Sequence, residues 1–292
     1  MEKQKIIFII NPISGIIKKN NIEEQIGKHL DKNQFDYLIY KTEYAKHAIE
    51  LAKKAVDEKA DIVVAVGGDG SVNEIVNGIK GSDIKLAIIP LGSGNGLARF
   101  LKIPLQVKEA IQLINQGKFQ HIDTISINDT EFVSIAGLGF DALVAKKFAR
   151  YHKRGFWSYF KIATKEYQTY RPKKYTLHIN GETITCRALM IVFANSDQFG
   201  YNTAIAPDAK IDDGLMDVCI VKKIPMYQTP FFIHLLFLKQ LDKTSYIDII
   251  KTKEVSIERK KNRVVNIDGE PIKLTQNLNV KVNHLALKVI VP

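Results

Sequence analysis

The sequence predicts an α/β domain built on a parallel sheet, followed by a mostly antiparallel β domain. Three observations carry this. Short β-branched runs alternate with amphipathic stretches up to about residue 104, the texture changes after residue 123, and glycine-rich turns directly follow two of the early apolar runs.

In the first part the strands read as 6–10, 35–40, 62–66 and 86–90, and helical periodicity falls at 21–31, 45–58, 71–79 and 106–116. Strands that alternate with helices of this length are joined by crossovers and run parallel. The later strands read as 175–179, 183–192, 216–221, 254–259, 264–267 and 285–291, with turn dipeptides Asn180-Gly181, Asp213-Gly214 and Asp268-Gly269 between them. Two stretches there keep helical character: 141–150 continuing through 156–167, and 226–239. The latter is apolar on several sides, which suits a helix buried under other elements or one facing an apolar groove.

Composition bounds the function. The 292 residues are 46% hydrophobic and 25% charged, which is globular and long enough for two domains. Cys186 and Cys219 are far apart and show no metal-ligand spacing, so a disulfide scaffold or zinc module is excluded and a reducing cytoplasm is expected. The longest near-continuous apolar stretch, 231–238, is far short of the roughly 20 residues that cross a bilayer. The net charge of +11 is uneven: residues 1–150 carry 20 basic and 18 acidic groups, and residues 151–292 carry 22 and 13. A basic second half attracts phosphate-bearing partners without choosing among them.

The turn Gly67-Gly68-Asp69-Gly70-Ser71 follows one strand and opens a helix. Glycines let a backbone approach a ligand closely, and a helix start offers unpaired N–H groups and a positive dipole end, so the turn suits phosphate. A carboxylate inside it implies an intervening divalent cation, or else a helix cap. A second turn, Gly92-Ser93-Gly94-Asn95-Gly96, follows the next strand, and consecutive parallel strands end on one sheet edge, where both turns can face one ligand. Leu97 occupies the third glycine position of a dinucleotide fingerprint, which argues against a dehydrogenase; P-loop and protein-kinase signatures are also missing.

These residues, with Asn11-Pro12, Ser14-Gly15, Val72-Asn73-Glu74 and Asn77-Gly78, resemble the diacylglycerol kinase catalytic domain of soluble bacterial lipid kinases and sphingosine kinases. More distantly they are similar to NAD kinases and phosphofructokinases. The resemblance runs on through Asp123, Ala136-Gly137-Leu138-Gly139-Phe140-Asp141, 206–209, 212–215 and 268–271, nearly the whole chain. It implies an α/β nucleotide-binding domain over 1–123 and an antiparallel β-sandwich lipid-binding domain over 124–292, the last strand returning to the first domain, with ATP and magnesium in the cleft between them.

The resemblance further implies that Asn11, Pro12, Ile13, Ser14, Gly15, Thr42, Gly67, Gly68, Asp69, Gly70, Ser71, Val72, Asn73, Glu74, Gly92, Ser93, Gly94 and Asn95 contact ATP. Asp69 and Asp123 would order the catalytic magnesium, and Asp268, with Glu270 beside it, would take the proton from the lipid hydroxyl. A second, structural magnesium would use the Asp213 carboxylate and the carbonyls of Lys210 and Leu215. Many bacterial members carry an acid where this chain has Gly96, a departure that bears on the magnesium network and on the identity of the lipid.

The expected activity is ATP- and magnesium-dependent phosphorylation of diacylglycerol or a sphingoid or ceramide-type lipid, by a cytoplasmic protein peripheral to the membrane. Phe156, Trp157, Tyr159, Phe160 and the 231–237 stretch are candidates for lining its apolar cleft. No nucleic-acid partner is expected, and a homodimer is left open. The alternatives are an NAD kinase-like activity and a catalytically silent regulator. Neither Asp69 nor Asp268 is expected to be needed for folding.

Overall fold

The computed structural model describes residues 3–13, 21–151, 155–200, 203–261 and 263–292. In chain order the elements are β1 (Gln4–Ile10), α1 (Ile22–His29), β2 (Phe35–Lys41), α2 (His47–Asp57), β3 (Ile62–Gly67), α3 (Asp69–Ile79), β4 (Lys85–Pro90), α4 (Gly96–Phe100) and α5 (Val107–Gln116). There follow β5 (Phe119–Ile127), β6 (Thr130–Phe132), β7 (Ile135–Gly139), α6 (Phe140–Ala149), α7 (Phe156–Thr169), β8 (Lys173–Ile179), β9 (Glu182–Ala188), β10 (Met190–Ala194), β11 (Gln198–Gly200), β12 (Thr203–Ala204) and β13 (Met216–Val221). The chain ends with α8 (Thr229–Phe237), β14 (Ile247–Thr252), β15 (Glu254–Glu258), β16 (Arg263–Ile267), β17 (Glu270–Leu274) and β18 (Asn277–Ile290).

The chain divides into two compact units, residues 1–122 with 285–292, and residues 123–284. The division falls one residue before the boundary read from the sequence, inside β5.

The first unit is a parallel sheet in the order β2-β1-β3-β4, with Lys288 and Val289 of β18 parallel to Lys85 and Leu86 of β4. Every residue of β3 is buried, as expected for a central strand covered on both faces. The register pairs Ile10 with Val66 and Gly67 with Pro90, so β1, β3 and β4 finish at one sheet edge. Gly78 serves helix packing: a Cβ there would lie 2.4 Å from the Ala52 Cβ and 2.7 Å from the Ile49 carbonyl of α2.

The second unit holds an antiparallel sheet in the order β14-β13-β10-β7-β16-β17, and β8, β9, β15 and the first part of β18 pair antiparallel in another. One core joins inward residues of both, among them Leu138, Ile191, Phe193, Val218, Leu177, Ile257 and Leu278, which makes the unit a β-sandwich. The central strands are apolar on both faces because their other side is covered too: Met190, Val192, Cys219 and Val221 pack with Tyr167 of α7 and Phe232 and Leu235 of α8. A strand buried on both faces loses its alternation, as β10 does, and with only Leu189 between it and the half-exposed β9 the two read as one run.

The 141–167 stretch is two helices, α6 and α7, and the 226–239 stretch shortens to a single-turn 3₁₀ segment at 226–228 followed by α8. Strands β5, β6, β7, β11, β12, β14 and β17 and the first half of β18 have no counterpart in the sequence reading. Among the described residues no helix is long and apolar enough to cross a membrane.

Candidate functional site

Each of the three turns at the edge of the parallel sheet is built from its strand. Asn11 follows β1: its amide N–H donates to the Val66 carbonyl at 3.0 Å, its Oδ1 accepts from Ile13 N–H at 3.1 Å, and its Nδ2 donates to Ser71 Oγ at 3.2 Å. Thr42 joins the same edge by donating its amide to the Ile10 carbonyl at 2.9 Å. Pro12 and Ile13 are exposed, and Ser14 and Gly15 lie outside the described residues.

Gly68 and Gly92 bring the other two turns into contact. A Cβ on Gly92 would stand 2.6 Å from the Gly68 Cα and 2.7 Å from Asn95 Oδ1, and one on Gly94 would stand 2.9 Å from Asp69 Oδ2. Side chains at these positions would push the turns apart. Asn95 takes a left-handed conformation (φ 54°), tolerated by a short polar side chain, and closes its own turn through bonds to Gly92 N–H at 2.9 Å and the Gly92 carbonyl at 2.7 Å.

Asp69 bridges the turns. Its Oδ2 accepts the Asn95 N–H at 2.9 Å and its Oδ1 accepts the Gly96 N–H at 2.7 Å. Burial pushes its carboxyl up, while these N–H groups pull it back. The carboxylate is thus a clasp between the two glycine turns. Where a family acid would sit, Gly96 contributes its backbone N–H to that clasp.

The remaining residues of α3 divide between structure and surface. Glu74 caps α2, accepting Lys46 N–H at 3.1 Å and Ala48 N–H at 3.2 Å. Val72 is core, and the buried Asn73 accepts from Asn77 Nδ2 through both its carbonyl and its Oδ1. Ser93 is exposed. The unit thus brings Asn11, Thr42, Gly67, Gly68, Asp69, Gly70, Ser71, Gly92, Ser93, Gly94 and Asn95 to one edge, where the first N–H groups of α3 have no carbonyl within the helix to bond.

In the second unit Asp268 sits in the left-handed region (φ 45°) followed by Gly269 (φ 91°), a tight hairpin turn between β16 and β17. It is 5% exposed, and its carboxylate accepts three N–H groups at 3.0 Å each: Val133 at Oδ2, Ser134 and Ile135 at Oδ1. The side chain thus satisfies three backbone N–H groups of a buried loop. Glu270 is exposed.

Asp123, fully buried, accepts Gly214 N–H at 2.7 Å and lies 2.8 Å from His284 Nδ1. It belongs to the second unit and Asp69 to the first. Its carboxylate therefore fixes the turn at 213–215, where the exposed Asp213 accepts Leu215 N–H at 3.0 Å and Lys210 is exposed. Burial raises the Asp217 carboxyl, held against by Lys251, and the charges of Asp213 and Asp208 raise it further; among the described residues no group of three or more His, Cys, Asp or Glu side chains is placed to hold a metal ion.

Sequence reasoning missed two groups. Asn195, fully buried, donates to the carbonyls of Asp123 at 2.8 Å and Val133 at 2.9 Å, linking the Asp123 and Asp268 clusters. The other group is built around Asp141 in the first turn of α6. A Cβ on Gly137 would collide with Asp141 Oδ2, which accepts from Asn266 Nδ2 at 2.8 Å. Among the described residues Asp141 is the one acid on the wall of a cavity of about 410 Å³ whose other lining is overwhelmingly apolar, including Phe160, Tyr167, Met190, Phe232 and Phe237. Of the expected lining residues, Tyr159, Phe160, Phe232, Ile233 and Phe237 do line it. Trp157 and Phe231 are 78% and 63% exposed and do not, and the side chain of Phe156 lies outside the described residues.

Two outcomes follow from this geometry. Asp268→Ala strands three buried N–H groups and should cost at least about 3 kcal/mol in denaturant unfolding, whereas Glu270→Gln should stay within about 0.5 kcal/mol; equal stability of the two variants would refute the anchoring role.

Burial raises the Asp141 carboxyl from 3.8 to about 6. The folded state therefore keeps a proton that the unfolded state releases, a contribution present below about pH 4 and lost as pH rises through about 6. Against Asp141→Asn, which cannot ionise, the parent should lose up to about 3 kcal/mol between about pH 4 and pH 7. A stability gap independent of pH would contradict this.

Comparison with known proteins agrees with both units. Residues 5–127 match the diacylglycerol kinase catalytic domain, and residues 134–291 match the YegS C-terminal NAD kinase beta sandwich-like domain. A diacylglycerol kinase of Staphylococcus saprophyticus is 26% identical over 268 residues, 90% of this chain and 88% of its own, and one from Staphylococcus aureus is 27% identical over 90% and 85%. The crystal structure of a diacylglycerol kinase from Bacillus anthracis has the same fold, with a TM-score of 0.80 at 23% identity over 100% of this chain and 98% of that one. With a catalytic-domain match on the first unit, a sandwich-domain match over more than half of the chain, and relatives aligned nearly end to end, this chain belongs to the diacylglycerol kinase family of lipid phosphotransferases.

Proposed function

We propose that this chain uses ATP and magnesium to phosphorylate a hydroxyl of a membrane lipid, of the diacylglycerol or the sphingoid or ceramide type. The observation that carries the reading is the apolar cavity of the second unit with Asp141 on its wall. Such a lining gains stability by taking acyl chains out of water, and a lone buried carboxylate can fix a polar head by hydrogen bonding. Exposed Trp157, Tyr227 and Phe231, with the basic excess of residues 151–292, suit contact with an anionic membrane surface.

In this reading ATP is held at the three turns of the first unit, from Asn11 to Gly15, at Thr42, from Gly67 to Glu74 and from Gly92 to Asn95. Glycines there admit close approach of phosphate to backbone N–H groups, and the start of α3 supplies a positive dipole end. Magnesium, when bound, neutralises charge on the transferring phosphate. Asp69, at the junction of the two glycine turns, would hold it. Asp268, fixed in position by three N–H bonds, is the proposed proton acceptor, and Glu270 is its solvent-facing neighbour. A structural magnesium would take the Asp213 carboxylate with the carbonyls of Lys210 and Leu215, on the turn that Asp123 holds.

The test is transfer of labelled γ-phosphate from magnesium ATP to a panel of diacylglycerol, monoacylglycerol, ceramide, sphingosine and NAD. A labelled lipid, abolished by chelation of magnesium, is expected; label on NAD alone, or none while ATP binds, would replace this reading. For the structural site, saturating magnesium should stabilise the parent by about 2–3 kcal/mol and leave Asp213→Ala unmoved. Identical melting of the parent with and without magnesium would remove that site.

A further inference from the structure

The second unit has another concavity, separate in its lining from the apolar cavity and opposite in chemistry. It encloses about 700 Å³ and is lined by Lys146, Arg171, Lys173, Arg259, Arg263 and Lys273. Its one acidic lining residue among the described residues, Glu166, is held at 2.6 Å by Lys147, a cation outside the set. Among the described residues none of the six cations forms an ion pair with a carboxylate.

Arg259 makes the arrangement costly. It is only 6% exposed, and its guanidinium donates to the carbonyls of Gln276 at 3.3 Å, Leu274 at 3.4 Å and Thr275. Carbonyl dipoles orient the fork but supply no counter-charge, and burial, with Arg263 close by, pushes the guanidinium down from its ordinary value. Lys173 is turned onto the face of Tyr170, 5.4 Å from the ring centre, which again gives it no anion. Like charges converging on one concavity repel, and a buried charge without an opposite partner is unfavourable. Both costs are relieved by an anion in the cavity.

We propose that this cavity binds a phosphate-bearing ligand of at least two negative charges. Arginine forks match phosphate oxygens bidentately and lysines add point charges, so three of each suit a phosphate group better than a single carboxylate. The volume exceeds that of a bare phosphate, leaving room for a second phosphate or an organic portion. A phosphorylated lipid head and a soluble polyphosphate share this chemistry. The inference rests on residues of the second unit alone and stands whether or not the kinase reading holds.

The full chain is titrated calorimetrically with inorganic pyrophosphate and, separately, with monomeric dihexanoyl phosphatidic acid, using dihexanoyl phosphatidylcholine as the zwitterionic control. The same titrations are run on Arg263→Gln/Lys273→Gln, two exposed positions whose replacement spares the buried Arg259, with circular dichroism to verify the fold. The parent is expected to bind at least one phosphate probe and not the control, and the double variant to bind about tenfold or more weakly. Binding of both probes identifies the phosphate group as sufficient, and binding of phosphatidic acid alone identifies a lipid head as the source. Phosphate affinity unchanged in the double variant places the binding elsewhere and overturns the proposal, as does the absence of heat with both probes in the parent.

Discussion

Buried backbone N–H groups at strand ends must find acceptors, and in this protein carboxylates supply them. Asp69 holds the N–H groups of Asn95 and Gly96, Asp268 those of Val133, Ser134 and Ile135, and Asp123 that of Gly214. In each case a charged side chain closes a loop that no ladder or helix could satisfy. A charge-assisted bond is roughly twice as strong as a neutral one, so a few such acids stabilise loops otherwise rich in glycine and short of apolar contact. The loops that would carry chemistry are thereby fixed without bulky side chains filling them.

This dependence changes how an acidic residue in such a protein is read. An acid can be placed for reaction and also be a structural acceptor, and the two duties are compatible because each carboxylate oxygen carries two lone pairs. Loss of activity in an Asp69 or Asp268 variant reports on chemistry only when stability is measured beside it. Asp141 is different in kind. It pairs with Asn266 and carries the cost of burial on the wall of an apolar cavity.

The two cavities of the second unit divide its surface chemistry. Among the described residues, one is apolar with a single acid, and the other is cationic with its one acid already paired. Both lie against α7 and the strands after it, so the +9 excess of the second half is in part a local feature with a shape rather than a diffuse solvated charge.

The sequence by itself determined the parallel-sheet unit nearly element for element, because amphipathic helices and fully buried strands write their periods locally and the glycine turns punctuate them. It also pointed to the two glycine-rich turns of the candidate nucleotide site, since glycine at a close approach has no substitute. Much of the sandwich escaped it. Strands such as β7 and β17 are short, and β18 alternates weakly, so pairing with distant partners decides their state. The duties of Asp69, Asp268, Asp123 and Asn195 were likewise settled only by the tertiary structure. Their hydrogen-bond partners stand from 26 to 135 residues away from Asp69 and Asp268, and 91 and 161 residues from Asp123. No local pattern encodes a contact made at that separation; only the folded chain brings donor and acceptor to bonding distance.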